Sequence, residues 1–141
     1  MKRHFLSKRE TREFQMIIEK FGIRTESKSL EIEENDHAII YDAGKPILVQ
    51  FDKDWLPTMA VMLANDFPRV KVDEGAFQGI KNGANLYSAG IREIKGNLVK
   101  DSTCIIESPS GSPIGSAIVV SEISDIAAKK KGSFLRVYEL H

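Results

Sequence analysis

Cysteine occurs once in the chain, at Cys104, which excludes an internal disulfide and any metal site built on several thiolates. The three histidines, His4, His37 and His141, are scattered and give no ligand spacing. Long apolar runs are missing too. The longest, Ile114 to Val120, is interrupted by Gly115 and Ser116 and falls far short of the ~20 residues a membrane-spanning helix needs. The start, Met1-Lys2-Arg3-His4-Phe5-Leu6-Ser7, carries charge with no apolar core behind it and does not read as a secretory leader. The expected compartment is the cytoplasm, with no membrane partner.

Catalytic patterns are equally scarce. There is no Walker loop, no Gly-x-Gly-x-x-Gly and no nucleophile elbow. The close carboxylates Glu33/Glu34 and Asp52/Asp54 fall in loops or on strand surfaces, where solvation explains them. Cys104 lies in Thr103-Cys104-Ile105-Ile106, a buried strand pattern in which an inert core thiol is expected. The chain is therefore not expected to be an enzyme, nor to need a cofactor or metal.

Net charge is zero, from 20 Lys+Arg against 20 Asp+Glu, but the distribution is uneven. Met1 to Leu30 holds 8 basic and 4 acidic residues, whereas Glu31 to Ala60 holds 2 and 7. The basic start is a candidate electrostatic footprint for nucleic acid, with an ordinary solvated surface as the alternative.

What is present divides into two parts. Ser7-Lys8-Arg9-Glu10 is a capping box, and Phe14, Ile17, Ile18 and Phe21 follow at helical spacing, predicting a helix from Lys8 to Phe21 that ends at Gly22. Lys8, Arg9 and Arg12 point away from its apolar face, and Arg9 can pair with Glu13 one turn on. Leu30 to Glu33 alternates as a half-buried strand. Ala38 to Tyr41 and Ile47 to Phe51 flank a hairpin at Asp42-Ala43-Gly44-Lys45-Pro46. A second helix is expected after Trp55, with Pro57 in its first turn and Met59, Met62 and Leu63 on its apolar face. Residues 1–66 thus read as a helix on a small antiparallel sheet, and residues 67–141 as a second unit, docked on the first because no Gly/Ser-rich linker separates them.

The second unit is organised around Val72 to Ile91. Asp73 can cap a short helix and Gly83 can stop it in the left-handed conformation, after which Ala84 begins a strand. Glycine inside a helix costs about 1 kcal/mol relative to alanine, so a close backbone or ligand is expected to require it. Gly75 and Ala76, facing Gly83 and Ala84, would leave a shallow groove walled by backbone; from physics alone, tight helix-to-sheet packing without a ligand is the preferred account. Downstream, Arg92 to Val99 reads as a strand and a Gly-Asn turn at Gly96-Asn97, and Thr103 to Glu107, Ile114 to Val120 and Ser133 to Leu140 read as further strands of a compact barrel. Ser121 to Lys131 reads as a short helix or turn.

Val72-Asp73-x-Gly75-Ala76, Asn82-Gly83-Ala84-Asn85 and Gly90-Ile91 together resemble the signature of the PUA domain, a small RNA-binding barrel. Ala89 stands where that family commonly has proline. Pro57-Thr58 and an apolar helix running into this signature resemble the pre-PUA arrangement of the malignant-T-cell-amplified-sequence and ligatin translation proteins and their archaeal relatives. The resemblance implies an α+β fold, a pre-PUA helix-on-sheet domain followed by a PUA barrel. It also implies a non-catalytic protein acting on structured RNA, tRNA or rRNA, in translation or on a ribosomal subunit. An accessory subunit of an RNA-modifying enzyme, such as an archaeosine transglycosylase or pseudouridine synthase, and a protein-interaction adaptor are the alternatives. Carried over by residue, the resemblance nominates Gly75, Ala76, Lys81, Asn82, Ala84, Asn85, Ser88 and Gly90 as the RNA groove. Charge adds Arg92, Lys130, Lys131 and Arg136, although Lys129 to Lys131 equally suit a solvated helix end.

Overall fold

A computed structural model describes residues 3–122, 124 and 133–141. The chain divides into two compact units, Met1–Asn65 and Asp66–His141. Among the described residues, no helix is long and apolar enough to cross a membrane.

The first unit is an antiparallel meander with two helices. Its strands are β1 (Arg3–Phe5), β2 (Leu30–Glu33), β3 (Ile39–Asp42), β4 (Lys45–Phe51) and β5 (Asp54–Pro57), hydrogen-bonded in that order. Helix α1 (Lys8–Glu19) starts at the expected capping box: the Glu10 N–H donates to Ser7 Oγ, and the Ser7 N–H to Glu10 Oε1, both at 3.1 Å. These bonds hold the exposed Glu10 carboxyl below its ordinary pKa. Phe14 meets Trp55 of β5 edge-to-face with ring centroids 4.9 Å apart, which seats α1 across that end of the sheet. Ile18, Leu30, Ile40, Leu48 and Met62 are fully buried. Lys8, Arg9 and Arg12 are exposed, and Arg9 pairs with Glu13 at 3.5 Å, an exposed i,i+4 contact of little energetic weight.

Pro57 departs from expectation. It is the last residue of β5, opposite Leu48, and helix α2 (Met59–Leu63) begins only after it. The N-cap is Thr58, whose Oγ1 accepts from the Val61 N–H at 3.2 Å and donates to the Pro46 carbonyl at 2.7 Å. A buried Thr so bonded ties the helix start to β4, so proline is not needed to set it.

In the second unit the order is β6 (Arg69–Val72), α3 (Glu74–Lys81), β7 (Leu86–Tyr87), a 3-10 turn (Ser88–Gly90), β8 (Ile91–Lys95), β9 (Thr103–Glu107), β10 (Pro113–Val119) and β11 (Ser133–Leu140). The sheet runs β7-β11-β10-β9-β6-β8, with β6 parallel to β9 and the other pairs antiparallel. Flat, a six-stranded sheet would hold its edges about 24 Å apart. The four Cα steps from Tyr87 to Ile91 reach at most ~15 Å. The sheet must therefore curl into a half-barrel whose two edges are joined by the 3-10 turn, and among the described residues no ladder closes β7 onto β8. Val70, Val72, Ile80, Leu86, Ile106, Phe134 and Leu135 fill its interior. Cys104 lies among them, fully buried, its thiol pushed up to about 12 by loss of solvent.

Candidate nucleic-acid interface

The candidate site grows from α3 and its exit. Asp73 Oδ1 accepts the Ala76 N–H at 2.7 Å, satisfying a donor that the first helical turn cannot satisfy internally. Its own N–H donates to the Gly90 carbonyl at 2.9 Å. One residue thus caps the helix and pins the turn that joins the edges of the sheet. At the other end, the Ala84 N–H donates to the Gly79 carbonyl at 2.9 Å and the Gly83 N–H to the Ile80 carbonyl at 3.0 Å, with Gly83 at φ +92°. This is a complete Schellman closure, which needs a left-handed residue at that position.

The close approach that glycine permits is not where the sequence suggested. Gly75 is exposed, and a Cβ there would meet only Asp73 Oδ1, at 3.6 Å. Among the described residues, no backbone outside α3 itself lies within 4 Å of a Cβ at Gly75, and nothing beyond its chain neighbours lies within 4 Å of one at Gly83. The tight contact belongs to Gly90, where a Cβ would lie 2.5 Å from the Ala76 Cβ and 3.1 Å from Leu86 Cδ1. Gly90 is small because α3 packs against the turn, whereas Gly75 and Gly83 leave open backbone on the outside.

Asn85 also differs from expectation. Its Oδ1 accepts from the Val137 N–H of β11 at 3.1 Å, extending the β7–β11 pairing beyond Leu86↔Leu135. The strand begins at Leu86 rather than Ala84, because the Asn85 side chain and not its backbone bridges to β11. Asn82 caps α3 and is exposed, as are Lys81 and Ala84. Lys81 lies over the Phe77 ring, 5.1 Å from its centroid. Ser88 is half-buried in the 3-10 turn, and Arg92 is exposed on β8 two residues beyond Gly90. Arg136 is exposed on β11 beside Val137. Lys130 and Lys131 lie outside the described residues.

Three of the described cations of this unit are held by carboxylates. Glu107, with its side chain 3% exposed, is shared by Arg69 at 3.3 Å and Lys95 at 3.4 Å, while Lys71 pairs with Glu93 at 3.4 Å. Lys81, Arg92 and Lys100 have no salt-bridge partner among the described residues; Lys81 ends α3 and Arg92 lies on β8, whereas Lys100 is in the loop before β9. A cleft of about 480 Å³ lined by Phe67, Pro68, Arg69, Lys95 and Asn97 sits where β6 begins and β8 ends. Its cations are held by Glu107. Sequence reasoning passed over Tyr87, which is 54% exposed beside the fully buried Leu86; two-residue alternation at the signature's end was the available signal.

Residues 2–65 match a family described as a domain of unknown function, DUF1947, and residues 68–139 match the PUA domain. No curated protein matches the sequence. Among solved structures, a conserved PUA domain protein from Thermoplasma acidophilum is 26% identical with a TM-score of 0.73, covering 99% of this chain and 93% of that one. A PUA domain from Aeropyrum pernix K1, solved with tartrate, is 18% identical with a TM-score of 0.77, covering 99% and 85%. The archaeal box H/ACA sRNP Nop10-Cbf5 complex is 17% identical with a TM-score of 0.50, covering 54% and 25%. The last two share the fold alone. The PUA match takes in just over half of the residues, including α3, its Schellman exit and the turn at Gly90, and this chain belongs to the PUA-domain family.

Proposed function

We propose that this protein is a non-catalytic RNA-binding protein that takes structured RNA, tRNA or rRNA, on the face formed by α3, its exit loop and β7, and that it works in translation or on a ribosomal subunit. The observation that carries the reading is the division of the cations. Arg69, Lys71 and Lys95 are engaged by carboxylates, while Lys81 at the end of α3 and Arg92 on β8, two residues beyond Gly90, have none among the described residues. Phosphate contacts from such cations and from backbone N–H groups supply most of the affinity of an RNA surface, and exposed amides such as Asn82 supply contacts to bases or the 2′-OH. The burial of Cys104 and its raised pKa argue against thiol chemistry. The translation role rests on the pre-PUA and PUA layout and its resemblance to the ligatin-type proteins.

Capture of the native, tagged protein from cells, with and without nuclease, tests the reading. Ribosomal subunits or tRNA lost on nuclease treatment support it. Recovery of an RNA-modification enzyme supports an accessory subunit instead, and nuclease-resistant partners without RNA support an adaptor.

A further inference from the structure

Asn82-Gly83 is the single Asn-Gly pair in the chain, and it stands at the exit of α3. An asparagine side chain can be attacked by the backbone nitrogen of the next residue, and glycine offers that nitrogen with no side chain to obstruct the approach. Of the five asparagines in the sequence, Asn35 donates to Glu33, Asn65 donates to the Val61 carbonyl and Asn85 accepts from the Val137 N–H. Asn97 is followed by Leu98, which is anchored in the core. Asn82 is exposed, its carboxamide has no hydrogen-bond partner among the described residues, and nothing beyond the chain neighbours crowds Gly83.

Two features of the fold keep the reacting atoms apart. The Gly83 N–H, which must lose its proton to attack, is donated to the Ile80 carbonyl at 3.0 Å. The Asn82 backbone, at φ −92° and ψ 13°, turns the Gly83 nitrogen away from the Asn82 Cβ. It is thereby turned from the side-chain carbon that it would have to approach to about 3–3.5 Å. Both features belong to the Schellman closure. Helix ends open locally at far less cost than global unfolding, so the reaction waits on this last turn and not on the sheet.

We propose that Asn82 is a spontaneous deamidation site gated by the Schellman closure of α3. When the turn opens, the Gly83 nitrogen gives up its proton and bonds to the Asn82 Cγ. The side-chain nitrogen takes up a proton and leaves as ammonia, and a cyclic succinimide remains. Water adds to one of its two carbonyls and opens the ring, to aspartate or to an isoaspartyl linkage. Neither product restores the exit. Aspartate puts a carboxylate at the negative end of the α3 dipole. The isoaspartyl linkage lengthens the backbone by a methylene, so the Gly83 and Ala84 N–H groups fall out of register with the Ile80 and Gly79 carbonyls that accept them in the unmodified chain. None of this depends on RNA binding.

The test ages folded wild type and folded Asn82→Gln beside wild type held in guanidinium chloride at the same pH and temperature. Peptide mass spectrometry then maps asparagine, aspartate and isoaspartyl forms. Glutamine keeps an amide at the position but has to close a larger ring, which is slower. In the folded protein Asn82 should convert ahead of every other asparagine, and the thermal midpoint of aged wild type should fall while that of aged Asn82→Gln holds. The ratio of the conversion rate in denaturant to that in the folded state should match the protection of the Gly83 amide against hydrogen exchange, measured by NMR, because both need the same opening. Melts taken before ageing report folding, and the rate ratio in wild type carries the test if Asn82→Gln melts early. An Asn82 that converts no faster than the other asparagines overturns the site. Equal rates in denaturant and in the folded state overturn the gate.

Discussion

Gly90 presses on Ala76 so closely that a Cβ at Gly90 would lie 2.5 Å from the Ala76 methyl. The turn between the edges of the half-barrel is seated on the first turn of α3, and the Asp73 N–H to Gly90 carbonyl bond fixes the same junction. Gly90→Ala should therefore destabilise the protein by about 1–3 kcal/mol through overpacking. The denaturant midpoint should fall with the m-value unchanged. A midpoint equal to wild type would show that α3 can move aside.

Asp73 joins the helix start to that turn by its side chain and its backbone. Asp73→Ala should destabilise by about 0.5–2 kcal/mol, and Asp73→Asn, an equally good N-cap, by much less. Equal losses for the two variants in chemical denaturation would mean that the charge rather than the cap is what matters.

Gly75→Val separates folding from binding. With only Asp73 Oδ1 at 3.6 Å from an added Cβ, and valine no worse than glycine in a helix, stability should stay within about 0.5 kcal/mol of wild type. RNA binding should be lost, because the branched side chain stands where a nucleotide would approach the backbone. Full binding by the folded variant would show that this surface is not used.

Lys81 and Arg92, which no carboxylate among the described residues engages, predict a salt dependence. Log affinity against log salt should have a slope of roughly −0.7 per phosphate contacted on a single strand, modest overall because the chain has net charge +0. Replacing Lys81 and Arg92 by Ala should flatten the slope by about 0.7 each and weaken different RNAs about equally. Replacing Arg69, which is engaged by Glu107, should leave the slope alone. A slope indifferent to Lys81 and Arg92 would remove them from the interface.

Features fixed by neighbours in sequence were legible before any coordinates. The Ser7/Glu10 capping box, the Asp73 cap and the left-handed Gly83 all depend on residues within one turn of the chain. β1 and β5 were not legible, being too short for alternation to stand out, and Pro57 looked like a helix start because the strand before it was unseen. Contacts between distant residues were also hidden. Asn85 was nominated for RNA, and the bond its side-chain Oδ1 accepts from the Val137 N–H, 52 residues away, was not foreseen. The small residue that matters for packing is Gly90, not Gly75, because Ala76 and Leu86 meet it only after the sheet has curled.

Backbone amide NMR shifts during titration with a hairpin carrying a single-stranded extension test whether structured RNA binds the face of α3, its exit loop and β7. The largest shifts are expected on Gly75, Ala76, Lys81 to Asn85, Tyr87 and Arg92, with Arg69, Lys71 and Lys95 little changed. Shifts centred on the exposed residues Lys8, Arg9 and Arg12 of α1, or on the cleft around Arg69 and Lys95, would contradict it.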